Sequence, residues 1–136
     1  MPAIADTGFV VALSNRKDKH HAASLAVHRQ TDVIFLPQTV LAEVGYMLTR
    51  QLGNLVVAQF LFTLPQTKYR LLALDQADLN RAAILLRQYH DSRLDFVDAT
   101  VIAAAERLNI KRVLTVDKRD FQMVRPSHVE AFELLP

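Results

Sequence analysis

Four acidic residues stand where an α/β chain gathers its chemistry. Asp6 follows the apolar run AIA and Asp117 follows RVLTV, so each sits at the carboxyl end of an expected buried strand. That edge of an open sheet is where ligands collect. Asp98 lies three residues after Asp95 at the start of an amphipathic helix, which puts both on one face. Glu43 stands beside the stripe Val40, Leu41, Val44, Met47 and Leu48 of another helix, adjacent to its apolar face and not opposite it. If the strands of Asp6 and Asp117 are neighbours, the four carboxylates close a ring. Carboxylates held together repel, and at least one pKa must rise. A divalent cation relieves that repulsion, and with oxygen donors and no cysteine the expected ion is Mg²⁺ or Mn²⁺. Such an ion activates water and steadies an in-line attack on phosphorus.

Each acid also has an ordinary role. Asp6 and Thr7 are good N-caps, Asp95 is another, and Asp98 suits the third position of its helix, where the dipole favours a carboxylate. Asp117 and Asp120 suit a turn. Only convergence on one end of the sheet lifts them above these roles. His20, His21 and His28 lack the i, i+4 pairing of a helical zinc site, so a zinc centre is not expected.

The elements that must position these residues follow from periodicity. Buried strands are expected at 3–5, 33–36, 69–74, 112–116 and 131–135. Helices are expected from Thr7 onward, over 18–30 behind an Asp18 cap, from Pro37 to Gly53, over 54–64, after Asp75 or Asp78, and over 95–108 up to Asn109. Between residue 117 and the last strand the expectation is a turn. This alternation predicts a single α/β domain over residues 1–136, with a mostly parallel sheet covered by helices. The helix over 54–64 is apolar on almost every side, as buried or interface helices are.

Composition sets the limits. Of 136 residues, 51% are hydrophobic and 22% charged, which indicates a globular chain. A net charge of +2 gives no global basic field. The absence of cysteine excludes disulfides, thiolate metal sites and a cysteine nucleophile. MPAIADTGF shows no signal-peptide pattern and no apolar run reaches a membrane span of ~18 residues, so a soluble cytoplasmic protein is expected.

The segments IADTGFVVAL, DKHHAA, LAEVGYMLTR, LDFVDATVIAAA and LTVDKRDF, in this order and spacing, resemble the PIN-domain nucleases, specifically the small VapC-like toxins of toxin–antitoxin pairs. The resemblance covers essentially the whole chain. It implies a three-layer α/β/α sandwich and a metal-dependent endoribonuclease that leaves a 5′-phosphate and a 3′-hydroxyl. Asp6, Glu43, Asp98 and Asp117 match the acidic quartet, Asp95 and Asp120 the variable acids beside it, and Thr7 and Thr115 the supporting hydroxyls. A homodimer and a small antitoxin that blocks the site are implied as well. Arg16, Lys17, Lys19, Arg93, Lys118 and Arg119 are the candidate phosphate contacts. Two other readings compete. A receiver- or haloacid-dehalogenase-like phosphate-handling domain also places an aspartate after strand one, but the latter carries a second aspartate where this chain has Gly8, and it leaves Glu43 without a task. A non-cleaving module that binds RNA or a partner has to explain a carboxylate cluster that repels phosphate.

Overall fold

Ala3, Ile4 and Ala5 have lost all solvent contact, because the strand they form, β1 (Ala3–Ala5), runs down the middle of the sheet. In the computed structural model, which describes residues 1–136, β1 is flanked by β2 (Ile34–Pro37) and β4 (Arg112–Leu114). β3 (Tyr69–Leu72) and β5 (Glu133–Leu135) form the edges, giving the order β3-β2-β1-β4-β5 with every pair parallel. The expected mostly parallel α/β/α sandwich is therefore present, with the sheet parallel throughout.

Parallel neighbours need crossovers, and right-handed crossovers fix the layers. The chain steps from β1 to β2 to β3 through α1 (Thr7–Ser14), α2 (His21–Gln30), α3 (Gln38–Leu52) and α4 (Asn54–Thr63), with α3 packed on α1 and α4. It returns to β4 through α5 (Gln76–Gln88) and α6 (Phe96–Leu108), which pack on each other. The direction of travel reverses between β1 and β4, so the carboxyl ends of these two strands flank the switch point of the sheet. Asp6 and Asp117 follow those two ends, as expected for neighbouring strands.

Several boundaries shift for local reasons. The second helix begins at His21 because Asp18 Oδ1 accepts the backbone N–H of His20 at 2.8 Å and holds a turn before it. Pro37 closes β2 and caps α3 instead of opening the helix. β3 ends at Leu72, and β5 starts at Glu133. β4 ends at Leu114, although Thr115 still donates its N–H to Leu135 O at 2.7 Å. Where a turn was expected, residues Arg119–Met123 form a short helix, α7, which buries Phe121. Asn109 ends α6 in the left-handed conformation, with φ of 55°.

No residue of α4 is buried; Leu55 and Phe62 are 86% and 79% exposed. Between α4 and α3 lies an open apolar groove of about 370 Å³, lined by Leu41, Ala42, Gly45, Val57, Phe60 and Leu61 among others. A larger cavity of about 630 Å³, bordered by Lys111 and Phe132, opens near the amino ends of β4 and β5, opposite the switch point. No helix is long and apolar enough to cross a membrane.

Gly8 is what lets α1 meet the end of β4. A Cβ built there would lie 2.7 Å from Val116 Cγ2, a contact a β-branched side chain cannot relieve cheaply. Gly8→Ala is expected to cost about 1–3 kcal/mol in denaturant titrations. Val116→Ala in the same chain should restore most of the loss; a double variant no more stable than Gly8→Ala would show that the contact is not the cause.

Candidate functional site

Asp6 is fixed by its backbone and left free by its side chain. Its N–H donates to Leu114 O at 2.9 Å, tying it to β4. It occupies the N-cap position of α1, yet its carboxylate makes no N-cap hydrogen bond, and of the α1 N–H groups only that of Thr7 bears on it. Oδ2 lies 3.3 Å from the Thr115 hydroxyl, which also lies 2.9 Å from Asp117 O. One buried threonine thus bridges the two strand-end aspartates. The adjacent Thr7 hydroxyl is buried and has no partner at all, a state that costs about 1–3 kcal/mol.

Asp98 sits on the opposite layer. With Asp95 it forms a capping box at the start of α6: Asp95 Oδ1 accepts the Asp98 N–H at 2.8 Å, and Asp98 Oδ2 accepts the Asp95 N–H at 3.3 Å. The expected capping roles are therefore real here, but they leave each carboxylate with oxygens to spare. The helix carrying Glu43 is tied to that of Asp98 by the hydroxyls of Thr39 and Thr100, 2.7 Å apart, while Thr100 also donates to Val97 O. Neither threonine stood out in the sequence, since a helical threonine ordinarily bonds within its own turn.

Electrostatics mark these acids as one group. Burial pushes Asp6 up to about 6, with further repulsion from Glu43 and Asp95, despite the Thr7 N–H and Thr115 hydroxyl. Burial, then Asp6, then Asp95 push Asp98 up to about 8. A second capping box in the same molecule shows what is missing. Asp75 and Asp78 make the same reciprocal bonds at the start of α5, and burial would raise Asp78 too. There Arg107 Nε lies 2.8 Å from Asp78 Oδ1 and holds that carboxyl below the usual range. No cation of the chain does this for Asp98 or Asp6.

Asp117 differs. Arg119 meets it through Nε to Oδ1 at 3.2 Å and Nη2 to Oδ2 at 3.1 Å, and Arg93 Nη2 stands 4.0 Å from Oδ2. The Arg119 fork holds Asp117 below the usual carboxylate range. In this arrangement no three acidic or histidine side chains stand close enough to share one ion. Asp120 lies on α7, near enough to bear on Arg119. Lys118 precedes that helix and forms no ion pair. Arg16, Lys17 and Lys19 lie in the turn after α1, beside Asn15, whose Nδ2 donates to Gln51 Oε1 at 3.2 Å in the last turn of α3. Gln51 is about 12 Å along that helix from Glu43, at 1.5 Å rise per residue. Of the six candidate cations, the structure brings Arg93 and Arg119 to an acid of the site.

The family model of the PIN domain matches residues 3–125. This chain belongs to the PIN domain family. A curated relative, Ribonuclease VapC26 of Mycobacterium tuberculosis, is 27% identical over 134 residues, covering 98% of this chain and 99% of the relative. Among solved structures, Mycobacterium tuberculosis VapC20, described as a sarcin–ricin loop cleaving toxin, superposes with a TM-score of 0.79 at 22% identity, over 85% of this chain and 90% of that one. A toxin–antitoxin complex from Klebsiella pneumoniae gives 0.65 at 18%, over 93% and 99%. At these identities the two structures speak to the PIN fold alone.

The raised groups give this PIN domain a pH signature. Asp98 binds its proton more tightly folded, at about 8, than unfolded, at 3.8. Its contribution to stability is thus complete below about pH 4 and is lost as pH rises through about 8. Asp6 acts in the same direction up to about 6. In chelator, melting temperature should fall over this range, and Asp98→Asn should flatten the fall and melt higher than wild type at pH 8. A variant that melts markedly lower there would show that the residue acts chiefly as a helix cap.

Proposed function

We propose that this chain is a divalent-metal-dependent endoribonuclease of the cytoplasm, the toxin of a toxin–antitoxin pair, with residues 1–136 acting as one nuclease domain. The observation that carries this reading is Asp6 and Asp98 at the switch point, both partly buried and neither given a cation by the chain. The Thr7 hydroxyl, on the residue after Asp6, is buried without a hydrogen-bond partner and offers a further oxygen donor. An all-oxygen donor set suits Mg²⁺ or Mn²⁺. Asp6, Glu43, Asp98 and Asp117 would hold the ion, which when bound lowers the pKa of water and offsets charge at the phosphorus. Thr115 orients Asp6, and Asp95 steadies Asp98 through the capping box. Arg93, Lys118 and Arg119 supply donors for RNA phosphates, with Asp120 beside them. RNA as substrate is supported by the family and by the ribonuclease name of the curated relative. A module that merely bound RNA would gain nothing from uncompensated carboxylates at this edge.

Incubation of a structured RNA with the protein should give 5′-phosphate and 3′-hydroxyl ends in Mn²⁺ or Mg²⁺ and nothing in EDTA. Asp6→Asn and Asp98→Asn should fall to the EDTA level. Saturating metal should stabilise wild type by about 2.7 kcal/mol at a hundredfold excess over Kd. Retention of the full metal-dependent shift by Asp6→Asn would place that residue outside the metal's ligands.

The groove between α3 and α4 is the surface we assign to the antitoxin, with the exposed side of α4 open to a second copy. Exposed apolar surface of this kind marks an interface. Phe60 lines the groove and packs against Tyr69 with ring centroids 6.2 Å apart, whereas Phe62 points outward. Phe60→Lys should lower stability by about 1–2 kcal/mol through lost burial. Phe62→Lys should melt like wild type and cleave RNA, yet weaken antitoxin binding or dimerisation in size-exclusion chromatography. Unchanged association in a folded Phe62→Lys protein would remove α4 from the interface.

A further inference from the structure

We propose that Arg119 is a counter-ion latch on the site: its guanidinium occupies the Asp117 carboxylate in the metal-free protein and must leave before that carboxylate can take part in holding a metal. This rests on the endoribonuclease reading above and adds to it a means of regulation.

Asp117 differs from the other acids of the site in its counter-ions. Its backbone is joined to Asp6 through Thr115, one hydroxyl serving both residues. Arg119, the first residue of α7, folds back two residues and meets both carboxylate oxygens, at 3.2 and 3.1 Å. The Arg119 backbone N–H also points to Oδ1, at 3.3 Å. Arg93, from the loop before α6, stands 4.0 Å from the Oδ2 that Arg119 Nη2 also meets. Two cations thus converge on one acid while Asp6 and Asp98 have none.

The latch is built to open. The Asp117 and Arg119 side chains are 52% and 68% exposed, so the pair is weak. The Asp78–Arg107 pair, in which the carboxylate is only 3% exposed and the guanidinium 36%, is the more fixed counterpart in the same molecule. When Arg119 leaves, it carries a planar fork of N–H donors that matches a phosphate. The same movement therefore frees a ligand for the metal and delivers a cation to the RNA backbone, which couples the two binding events.

Calorimetric titration of the full chain with Mn²⁺ at about 150 mM salt, where the Debye length is ~8 Å, tests the latch without any turnover. Arg119→Gln should bind Mn²⁺ about threefold tighter than wild type, the scale of one exposed ion pair. Lys118→Gln removes the same charge one residue away and should leave the affinity within experimental error. Equal tightening in both variants would reduce the effect to general charge and overturn the latch. Absence of Mn²⁺ binding by wild type would instead overturn the nuclease reading itself. The Arg119 Nε–H resonance in ¹H–¹⁵N spectra gives a direct readout. It should shift on adding Mg²⁺, and also on adding a single-stranded RNA decamer in EDTA, where no cleavage occurs. A resonance unmoved by either addition would overturn the exchange.

Discussion

The burial of two carboxyl groups, Asp6 and Asp98, with no cation from the chain to offset it, is the constraint on which the site depends, and their repulsion when both are charged adds to it. Like charges in a poorly solvated edge separate unless the backbone forbids it, and here it does. Asp6 is the residue after a strand with no exposed atom, bonded through its N–H to the neighbouring strand. Asp98 is locked by reciprocal capping bonds, on a helix whose residues Ala99–Ala105 are all buried. The alanines matter: small side chains let α6 lie close to the sheet, and closeness is what brings Asp98 into the field of Asp6. The repulsion is thus maintained by apolar burial elsewhere, the usual way a folded chain sustains a strained site.

The two capping boxes show how one local motif serves opposite ends. Asp75-x-x-Asp78 and Asp95-x-x-Asp98 start helices by the same bonds. The first receives Arg107, and Arg81 bridges Glu106 nearby at 2.7 Å, so α5 and α6 are riveted along one side. The second receives nothing from the chain. Local sequence builds both turns alike; the distant partner, present or withheld, makes one a structural joint and leaves the other without a counter-ion.

Much of this was legible in the residue order. Strand-end aspartates, the Asp95 cap and the Asn109 stop follow from periodicity and punctuation, which are local signals, whereas the adjacency of the Asp6 and Asp117 strands enters as a condition that the sheet order meets. Glu43 groups with these aspartates from its place beside an apolar helix face, and the family resemblance adds the match of all four to an acidic quartet. What escaped reading depends on contacts over distance. The Thr39–Thr100 link spans 61 residues and joins two helices whose phases no pattern relates. The orphan Thr7 hydroxyl is visible only once its surroundings are packed. Residues 119–123 read as a turn because five residues carry too little periodicity to declare a helix. The Arg119–Asp117 pair is close in sequence, yet nothing in KRD says which acid the arginine will choose. Helix α4 was expected to be buried or at an interface, and its exposed leucine and phenylalanine resolve that choice toward the surface.

The central position of β1 also governs when the molecule becomes itself. Ala3, Ile4 and Ala5 pair with Arg112, Val113 and Leu114, so the first strand made must wait for nearly the last. Closing a loop that long precedes any gain from the pairing, which makes such folds slow to assemble. During synthesis the Asp6 edge exists alone, half of it still to be translated. A ribosome making this chain therefore carries no complete acidic edge until Asp98 and Asp117 have emerged, and a product truncated before β4 lacks the strand that Asp6 is bonded to. For a protein that we read as a cleaver of RNA, this vectorial delay separates manufacture from action.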